Sequence, residues 1–266
     1  MKRLAIFIIA AVATAHAGTM KIDFKEFDLK NGLHVIVHEN HSTPIVAVDV
    51  RYHVGSKNEV TGKTGFAHLF EHLMFDGSKN VGRGMFDKYL TNVGAQNNAY
   101  TTADETNYHE IVPSNQLELA LWLESDRMLQ FAIKEISLKT QKEVVKEEKR
   151  QTDDNRPYGD LDEKMRELAY EGGCYRWPVI GSMQDIDDAT LDDVRGFYET
   201  YYVPNNATLC LAGDITFEQA KELAEKYFGS IPAGKGKLKR PEYDQPAQDK
   251  ENRLILHEDV PAPGEF

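Results

Sequence analysis

The chain has 266 residues, of which 41% are hydrophobic and 28% charged, and this composition excludes a disordered or fibrous protein. The formal net charge of −12 argues against nucleic acid and anionic membrane surfaces as partners, since both call for basic patches. A chain of this length buries a large core without help, so we expect any metal site in it to serve chemistry rather than folding.

The N-terminus has the three parts of a secretory signal peptide in the usual order. Lys2 and Arg3 are basic, residues 4–14 form an apolar run, and residues 15–17 (Ala-His-Ala) fit a cleavage site. The apolar run is too short to span a bilayer. We therefore expect residues 1–17 to be a signal peptide, with no membrane attachment after its cleavage. The mature protein is expected to be periplasmic or secreted.

Strands are predicted first along the mature chain. Asn31-Gly32 is a strong hairpin signal, and it separates apolar segments at 24–30 and 33–38. Alternating valines predict a third strand at 45–54. After a polar loop, a helix is expected at 65–75, followed by a second, short helix. The short helix is expected at 85–93, and strands follow at 97–102 and 106–112. The remaining predicted elements are helices at 114–131, 137–152, 160–170, 190–201 and 216–228, and one strand at 207–212.

Three of these helices have recognisable starts. Ser114 can cap the helix that follows it, and Thr190 and Thr216 each begin a capping box. The elements run as strands, then helices, then one more strand and helix, which is not a regular βαβ alternation. The sequence therefore predicts an α+β domain, in which a mostly antiparallel sheet has helices packed on one face.

The C-terminal part reads differently from the rest. Residues 233–249 are rich in Lys, Gly, Pro and Gln, as linkers are, and 253–257 have the pattern of one new strand. We expect the main domain to span 18–232, and 233–266 to hold a linker and the start of a truncated second domain. Cys174 and Cys210 can form a disulfide or remain free thiols, and the sequence does not decide between these.

One five-residue motif carries the chemistry. His68 and His72 lie four residues apart on a predicted helix, so both imidazoles project from one face and can bind one zinc ion. Glu71 flanks the same face. This is the inverted order of a zincin motif. We expect Glu71 to act as the general base toward a metal-activated water and to pass the proton to the leaving amine.

Such a site needs a third protein ligand and one open position. Glu143, Glu147 and Glu148 all lie on the predicted helix that follows residue 137, and their spacing alone does not choose among them. A third histidine would suit a metal-dependent hydratase instead. His53 and His109 are the candidates for that role, but they lie on predicted strands with no ligand spacing to support them.

The segment 62–75, Gly-Lys-Thr-Gly-Phe-Ala-His-Leu-Phe-Glu-His-Leu-Met-Phe, closely resembles the pitrilysin/insulinase family of zinc metallopeptidases. The similarity is greatest to the bacterial periplasmic branch, which is itself similar to the mitochondrial processing peptidase. The resemblance extends over about 24–232, and further blocks agree in family order: 97–102, 106–108, 143–150, 178–181, 201–206 and 213–214.

The resemblance implies a zinc endopeptidase with one Zn²⁺ per chain. In this family pattern His68 and His72 are zinc ligands and Glu71 is the catalytic base. The distal glutamate of the family matches Glu148 best, and Glu147 is the alternative because the two form a doublet.

The resemblance also implies how substrate and partners are engaged. Asn98 and Ala99 match an edge strand that holds a peptide or unfolded polypeptide as an added strand. Family members pair two homologous domains, so full activity is expected to need a second homologous domain or a partner subunit. The competing reading is a non-catalytic metal-binding or assembly subunit, and the intact motif favours the enzyme.

Overall fold

The computed structural model describes residues 22–257, except for residues 132, 133, 237, 239 and 245. The predicted signal peptide at 1–17 lies outside the described residues. Among the helices that the structure describes, none combines the length and the apolar character that crossing a membrane requires.

Six described strands form one sheet. Their bounds are β1 (Lys25–Asp28), β2 (His34–Glu39), β3 (Ile45–Tyr52), β4 (Gln96–Thr101), β5 (Thr106–Pro113) and β6 (Ala207–Gly213). Their order across the sheet is β1-β2-β6-β3-β5-β4. Neighbouring strands are antiparallel except β2 and β6, which run parallel. The prediction of a mostly antiparallel sheet is confirmed, and β4 lies at one edge.

Eight α-helices lie among the described residues. They are α1 (Phe66–Leu73), α2 (Met85–Asn92), α3 (Leu117–Leu129), α4 (Glu135–Lys149), α5 (Leu161–Ala169), α6 (Met183–Asp188), α7 (Leu191–Tyr201) and α8 (Phe217–Phe228). Seven of them fall on segments predicted to be helical. The exception is α6, whose six residues are too few to show a helical period.

The predicted helix starts are partly right. Thr190 and Thr216 form the expected capping boxes, each accepting a hydrogen bond from the backbone N–H three residues later. The prediction for Ser114 is wrong. Its Oγ donates to Asp214 Oδ2 at 2.9 Å, and α3 begins only at Leu117, after one 3₁₀ turn. Because this 3₁₀ turn separates Ser114 from the first residue of α3, the serine does not occupy the N-cap position.

The sheet is buried on one face. Val46, Val48 and Val50 of β3 are fully buried, and helices α1, α3 and α8 pack against the strands of the sheet. The alternate residues of β3 point to the other face of the sheet. Ile45 and Ile111 lie on that face, and each is 44% exposed. Each buried valine stabilises the fold by about 1.5–3 kcal/mol. The predicted placement of helices on one face is confirmed.

Helix α1 is fixed in this core by the apolar residues of the motif itself. Leu69, Phe70 and Leu73 are buried, and the Phe70 ring stacks on Tyr202 with a centroid distance of 4.9 Å. The polar residues of the motif lie on the opposite face of the helix. Burial of one face therefore sets the rotation of α1 and the direction of its histidines.

The segment after α8 packs on the domain instead of extending away from it. Arg240 donates to the His53 carbonyl at 2.7 Å, and Gln248 donates to the last carbonyls of α5 at 3.1 and 2.7 Å. Residues 251–257 form no strand, so the strand predicted at 253–257 is wrong. A strand needs a neighbour to satisfy its backbone groups, and no described strand pairs with this segment.

Candidate metal centre

The motif histidines face each other on α1. The Nε2 atoms of His68 and His72 lie 3.3 Å apart. Glu148, near the C-terminal end of α4, points at both: its Oε1 lies 3.6 Å from His68 Nε2 and its Oε2 lies 3.3 Å from His72 Nε2. Helices α1 and α4 pack together, and this contact brings residues 76 positions apart in the chain to one point.

The three side chains fit a zinc ion. They offer two imidazole nitrogens and one carboxylate oxygen, all within 4.8 Å of one another. Ligands of a tetrahedral zinc ion, each roughly 2.0–2.1 Å from the metal, lie roughly 3.3–3.4 Å from one another. The 3.3 Å between the two histidine nitrogens matches this value, and each oxygen of Glu148 lies 3.3 or 3.6 Å from one of these nitrogens. No other group of three such residues with this proximity occurs in the described part of the chain.

The protonation of His68 and Glu148 also suits metal binding. Burial, followed by the neighbouring His72, lowers the pKa of His68 to about 4, so its imidazole is neutral at neutral pH. The hydrogen bond to His72 is the main cause that lowers the pKa of Glu148, which keeps this carboxylate ionised. Neutral imidazole and ionised carboxylate are the forms that bind zinc.

The other two candidate glutamates of α4 turn away from the histidines. Glu147 accepts hydrogen bonds from Arg150 and Gln151, and its side chain is 55% exposed. Glu143 pairs with Lys146 and is 60% exposed. Of the three glutamates that spacing left open, the structure brings only Glu148 to the histidines. Its role as the zinc ligand remains a prediction.

The remaining candidates also lie apart from the cluster. The His109 ring contacts Asn107 at 3.0 Å, and the His53 ring faces a threonine hydroxyl of β6 at 3.4 Å. Neither belongs to the group of possible metal ligands, so the three-histidine site of a hydratase is not formed. Cys174 and Cys210 are both free thiols.

Glu71 lies beside the cluster and is held by a residue that the sequence reasoning missed. Thr101, on β4, donates its hydroxyl to Glu71 Oε2 at 2.6 Å. Burial raises the pKa of Glu71, while the bond from Thr101 and the nearby His72 lower it. The sequence contained a signal for Thr101. It lies two residues after Ala99, a predicted substrate-binding residue, so the alternation of a strand places both side chains on the same face of β4.

Asn98 and Ala99 lie at the edge of the sheet. Strand β4 pairs only with β5 among the described strands, so its other side is open. The Ala99 N–H donates to Asn98 Oδ1 at 2.9 Å. A peptide that adds to this edge would compete with that bond.

The site thus combines an inverted His-x-x-Glu-His motif, on a helix packed against a mixed sheet, with a glutamate from a second helix. Residues 34–178 match the family described as Insulinase (Peptidase family M16), and residues 188–263 match the Peptidase M16 inactive domain. The chain therefore belongs to the insulinase family.

Named relatives agree with this assignment. Zinc protease PqqE of Helicobacter pylori is 35% identical over 256 residues, which are 96% of this chain and 58% of the relative. The probable mitochondrial-processing peptidase subunit beta of Schizosaccharomyces pombe is 28% identical over 76% of this chain and 44% of its own length. The chain thus spans about half the length of these relatives.

Solved structures show the same fold. The crystal structure of a protease from Helicobacter pylori matches with a TM-score of 0.83 and 36% identity, over 86% of this chain and 55% of that one. The first half of the periplasmic protease PqqL from Escherichia coli matches with a TM-score of 0.76 over 85% of this chain and 49% of that one. At 24% identity, the second likeness concerns the fold alone.

Proposed function

We propose that this chain is the metal-bearing half of a zinc endopeptidase that hydrolyses peptides or unfolded polypeptides. The observation that carries the proposal is the convergence of His68, His72 and Glu148 with Glu71 beside them. In this proposal the first three hold one zinc ion per chain and Glu71 is the catalytic base.

The residues around the cluster have separate tasks. A zinc ion held there would polarise the scissile carbonyl and lower the pKa of a water to about 7. Thr101 holds Oε2 of Glu71, and in this proposal Oε1 accepts the proton to be removed. Glu71 takes this proton as the attack proceeds and then delivers it to the nitrogen of the leaving amine. Burial raises the pKa of Glu71 and so brings it nearer the working pH of a general base.

The edge of β4 supports a peptide substrate in extended form. Asn98 and Ala99 lie on this edge, and α1 packs beside the same strand. An added strand would bind through its backbone, which gives affinity with little sequence preference. Thr101 is on the same strand, so a bound peptide would lie next to the residue that orients Glu71. We propose that unfolded segments are the substrates, because their backbone N–H and C=O groups are free along the whole segment.

We further propose that full activity needs a second homologous domain or partner subunit. The chain spans 58% of its Helicobacter pylori relative, and the Schizosaccharomyces pombe relative is named as a subunit. In this proposal the metal-bearing domain is 18–232, and 233–266 lead into the second half. We also propose a periplasmic or secreted location, on the basis of the leader-like residues 1–17.

A second candidate is a non-catalytic assembly subunit. Cytochrome b-c1 complex subunit 1 of Homo sapiens is 28% identical over 77% of this chain, and its name is that of a complex component. The presence of His68, Glu71 and His72 together favours the enzyme.

The test is hydrolysis of an unfolded, fluorescently labelled polypeptide by the chain alone and by the chain completed with its second half. Glu71→Gln should lower kcat by at least about 100-fold, because it removes the general base, and should leave the zinc content unchanged. Glu147→Gln is the matched control, since Glu147 is exposed and paired with Arg150. If the completed protein binds zinc but cleaves nothing, or if Glu71→Gln cleaves normally, the assembly subunit becomes the better account.

A further inference from the structure

The N-terminus of the zinc-site helix is capped from a distance. The residue before α1 is Gly65, with a φ of 82°, and it offers no side chain to the first amides of the helix. Those amides have no partner within the helix and must find one elsewhere. Glu59 supplies it: Oε2 accepts from Gly65 N and Oε1 accepts from Ala67 N, both at 2.9 Å. One carboxylate thus binds two backbone donors of α1, and Ala67 directly precedes His68.

The Glu59 carboxyl group is buried, and burial disfavours its charged form. Glu59 is only 2% exposed, and burial raises its pKa to about 8, while the bonds from Ala67 and Gly65 act in the opposite direction. Its oxygens accept from the two backbone amides, and the Trp177 side chain is a further hydrogen-bond partner. With this raised pKa the carboxyl group holds its proton up to a higher pH, which limits the desolvation cost of burying it. A glutamate side chain has two acceptor oxygens in one rigid plane, so it can hold two backbone amides at a fixed spacing.

The loop that carries Glu59 is itself held firmly. Trp177 Nε1 donates to the Ser56 carbonyl at 3.0 Å, and the Tyr243 hydroxyl donates to the Glu59 carbonyl. The two rings also meet edge to face, with centroids 5.7 Å apart. Glu59 is therefore fixed by contacts from two other parts of the chain before it contacts α1. A group held in this way can impose a position on what it binds.

The opposite side of the same helix end is equally confined. A Cβ atom at Gly65 would lie 2.5 Å from the Ile180 carbonyl oxygen, so this backbone contact and the positive φ both require glycine. Thr64 donates its N–H and its hydroxyl to Asp185 Oδ2, at 2.9 and 2.6 Å. The start of α1 is thus held by Glu59 on one side and by Ile180 and Asp185 on the other.

We propose that Glu59 is a positioning residue for the metal centre: by holding the first amides of α1, it fixes where His68 and His72 stand relative to Glu148 on α4. The proposal rests on the zinc site of the proposed function, although it does not depend on peptidase activity. Helix α1 has only eight residues, so a shift at its first turn reaches His68 at once. The two histidine nitrogens lie 3.3 Å apart on α1, and each oxygen of Glu148 on α4 lies 3.3 or 3.6 Å from one of them. Zinc coordination tolerates little error in such spacings.

The test measures the metal site of the purified chain by two routes. Zinc affinity is obtained by competition with a chelating dye, and the visible absorption spectrum of the cobalt(II)-loaded chain reports coordination geometry. Glu59→Gln keeps the size of the side chain but turns an amide NH₂ toward one backbone donor. We expect it to weaken zinc binding by about tenfold, as loss of residues that orient metal ligands does, and to alter the cobalt bands. Glu124→Gln is the control, because Glu124 is also a fully buried carboxylate but pairs with Arg127 instead of α1.

The control separates positioning from general stability. Both variants should unfold at a lower temperature, but only Glu59→Gln should change the zinc affinity and the cobalt spectrum. If Glu59→Gln does not fold, Glu59→Asp carries the test, because it keeps the carboxyl group on a shorter side chain that should reach only one amide. Wild-type zinc affinity and an unchanged cobalt spectrum in the folded Glu59 variant would overturn the proposal. A wild-type chain that binds zinc and cleaves no peptide would contradict the proposed function and leave this test intact.

Discussion

The sharpest prediction concerns the two adjacent glutamates of α4. Glu148 lies 3.3 Å from His72 and 3.6 Å from His68, whereas Glu147 points to Arg150 and solvent. Loss of a residue that only orients a metal ligand lowers affinity by about 10- to 100-fold, so loss of a ligand itself should cost at least about 100-fold. For Glu148→Gln this corresponds to at least about 2.7 kcal/mol of zinc binding.

Glu147→Gln should leave the affinity within about twofold of the wild-type value, because an exposed ion pair contributes only about 0–1 kcal/mol and does not touch the site. Both affinities are measured by competition with a chelating dye at pH 7, on chains shown by circular dichroism to be folded. The two variants differ by one position on the same helix, so helix propensity and net charge are matched. Equal effects of the two substitutions, or a larger effect at Glu147, would refute the assignment of the third ligand.

Three further predictions follow from individual contacts. Thr101→Val should lower kcat by roughly 10- to 100-fold with KM and zinc affinity unchanged, because it removes a hydrogen bond to a carboxylate. Thr101→Ser keeps the hydroxyl group and should restore kcat. A change in KM alone would contradict the role given to Thr101. Phe70→Ala should lower the free energy of unfolding by about 3–5 kcal/mol in urea titrations, because the ring is fully buried, and a loss below about 1 kcal/mol would be inconsistent with this packing. Lys63 and Thr190 lower the pKa of Asp193 to about 2, so Asp193 stabilises the fold above its usual pKa and this contribution is lost as the pH falls through about 2. Asp193→Asn should therefore cost about 0.2–1 kcal/mol at pH 7 and almost nothing near pH 2, and a cost that is constant with pH would contradict the linkage.

Local patterns in the sequence were enough to predict most elements and half of the site. The hairpin turn at Asn31-Gly32, the capping boxes at Thr190 and Thr216 and the spacing of the motif histidines each act within a few residues, where backbone geometry is fixed by short-range rules. For the same reason seven of the eight described α-helices fall on predicted segments.

The features that sequence reasoning missed depend on contacts between distant parts of the chain. Spacing alone did not choose among Glu143, Glu147 and Glu148; the family resemblance favoured Glu148, and only the packing of α4 on α1 shows which of them lies beside the histidines. Thr101 bonds a residue 30 positions away, and the parallel pairing of β2 with β6 joins strands from opposite ends of the domain. Glu59 escaped notice because it caps α1 from six residues before Gly65, outside the window in which caps are normally sought. The capping role predicted for Ser114 is wrong because a 3₁₀ turn separates it from α3, and its hydroxyl bonds instead to Asp214, which is far away in sequence.

The central claim is that His68, His72 and Glu148 form a zinc centre within this chain. Its most direct test is the zinc content of the purified, folded chain, measured by elemental analysis after dialysis without chelator. The account predicts about one zinc ion per chain, as expected for a site with three protein ligands, and none in His72→Ala. A folded wild-type chain that contains no zinc and takes up none when zinc is added would contradict it.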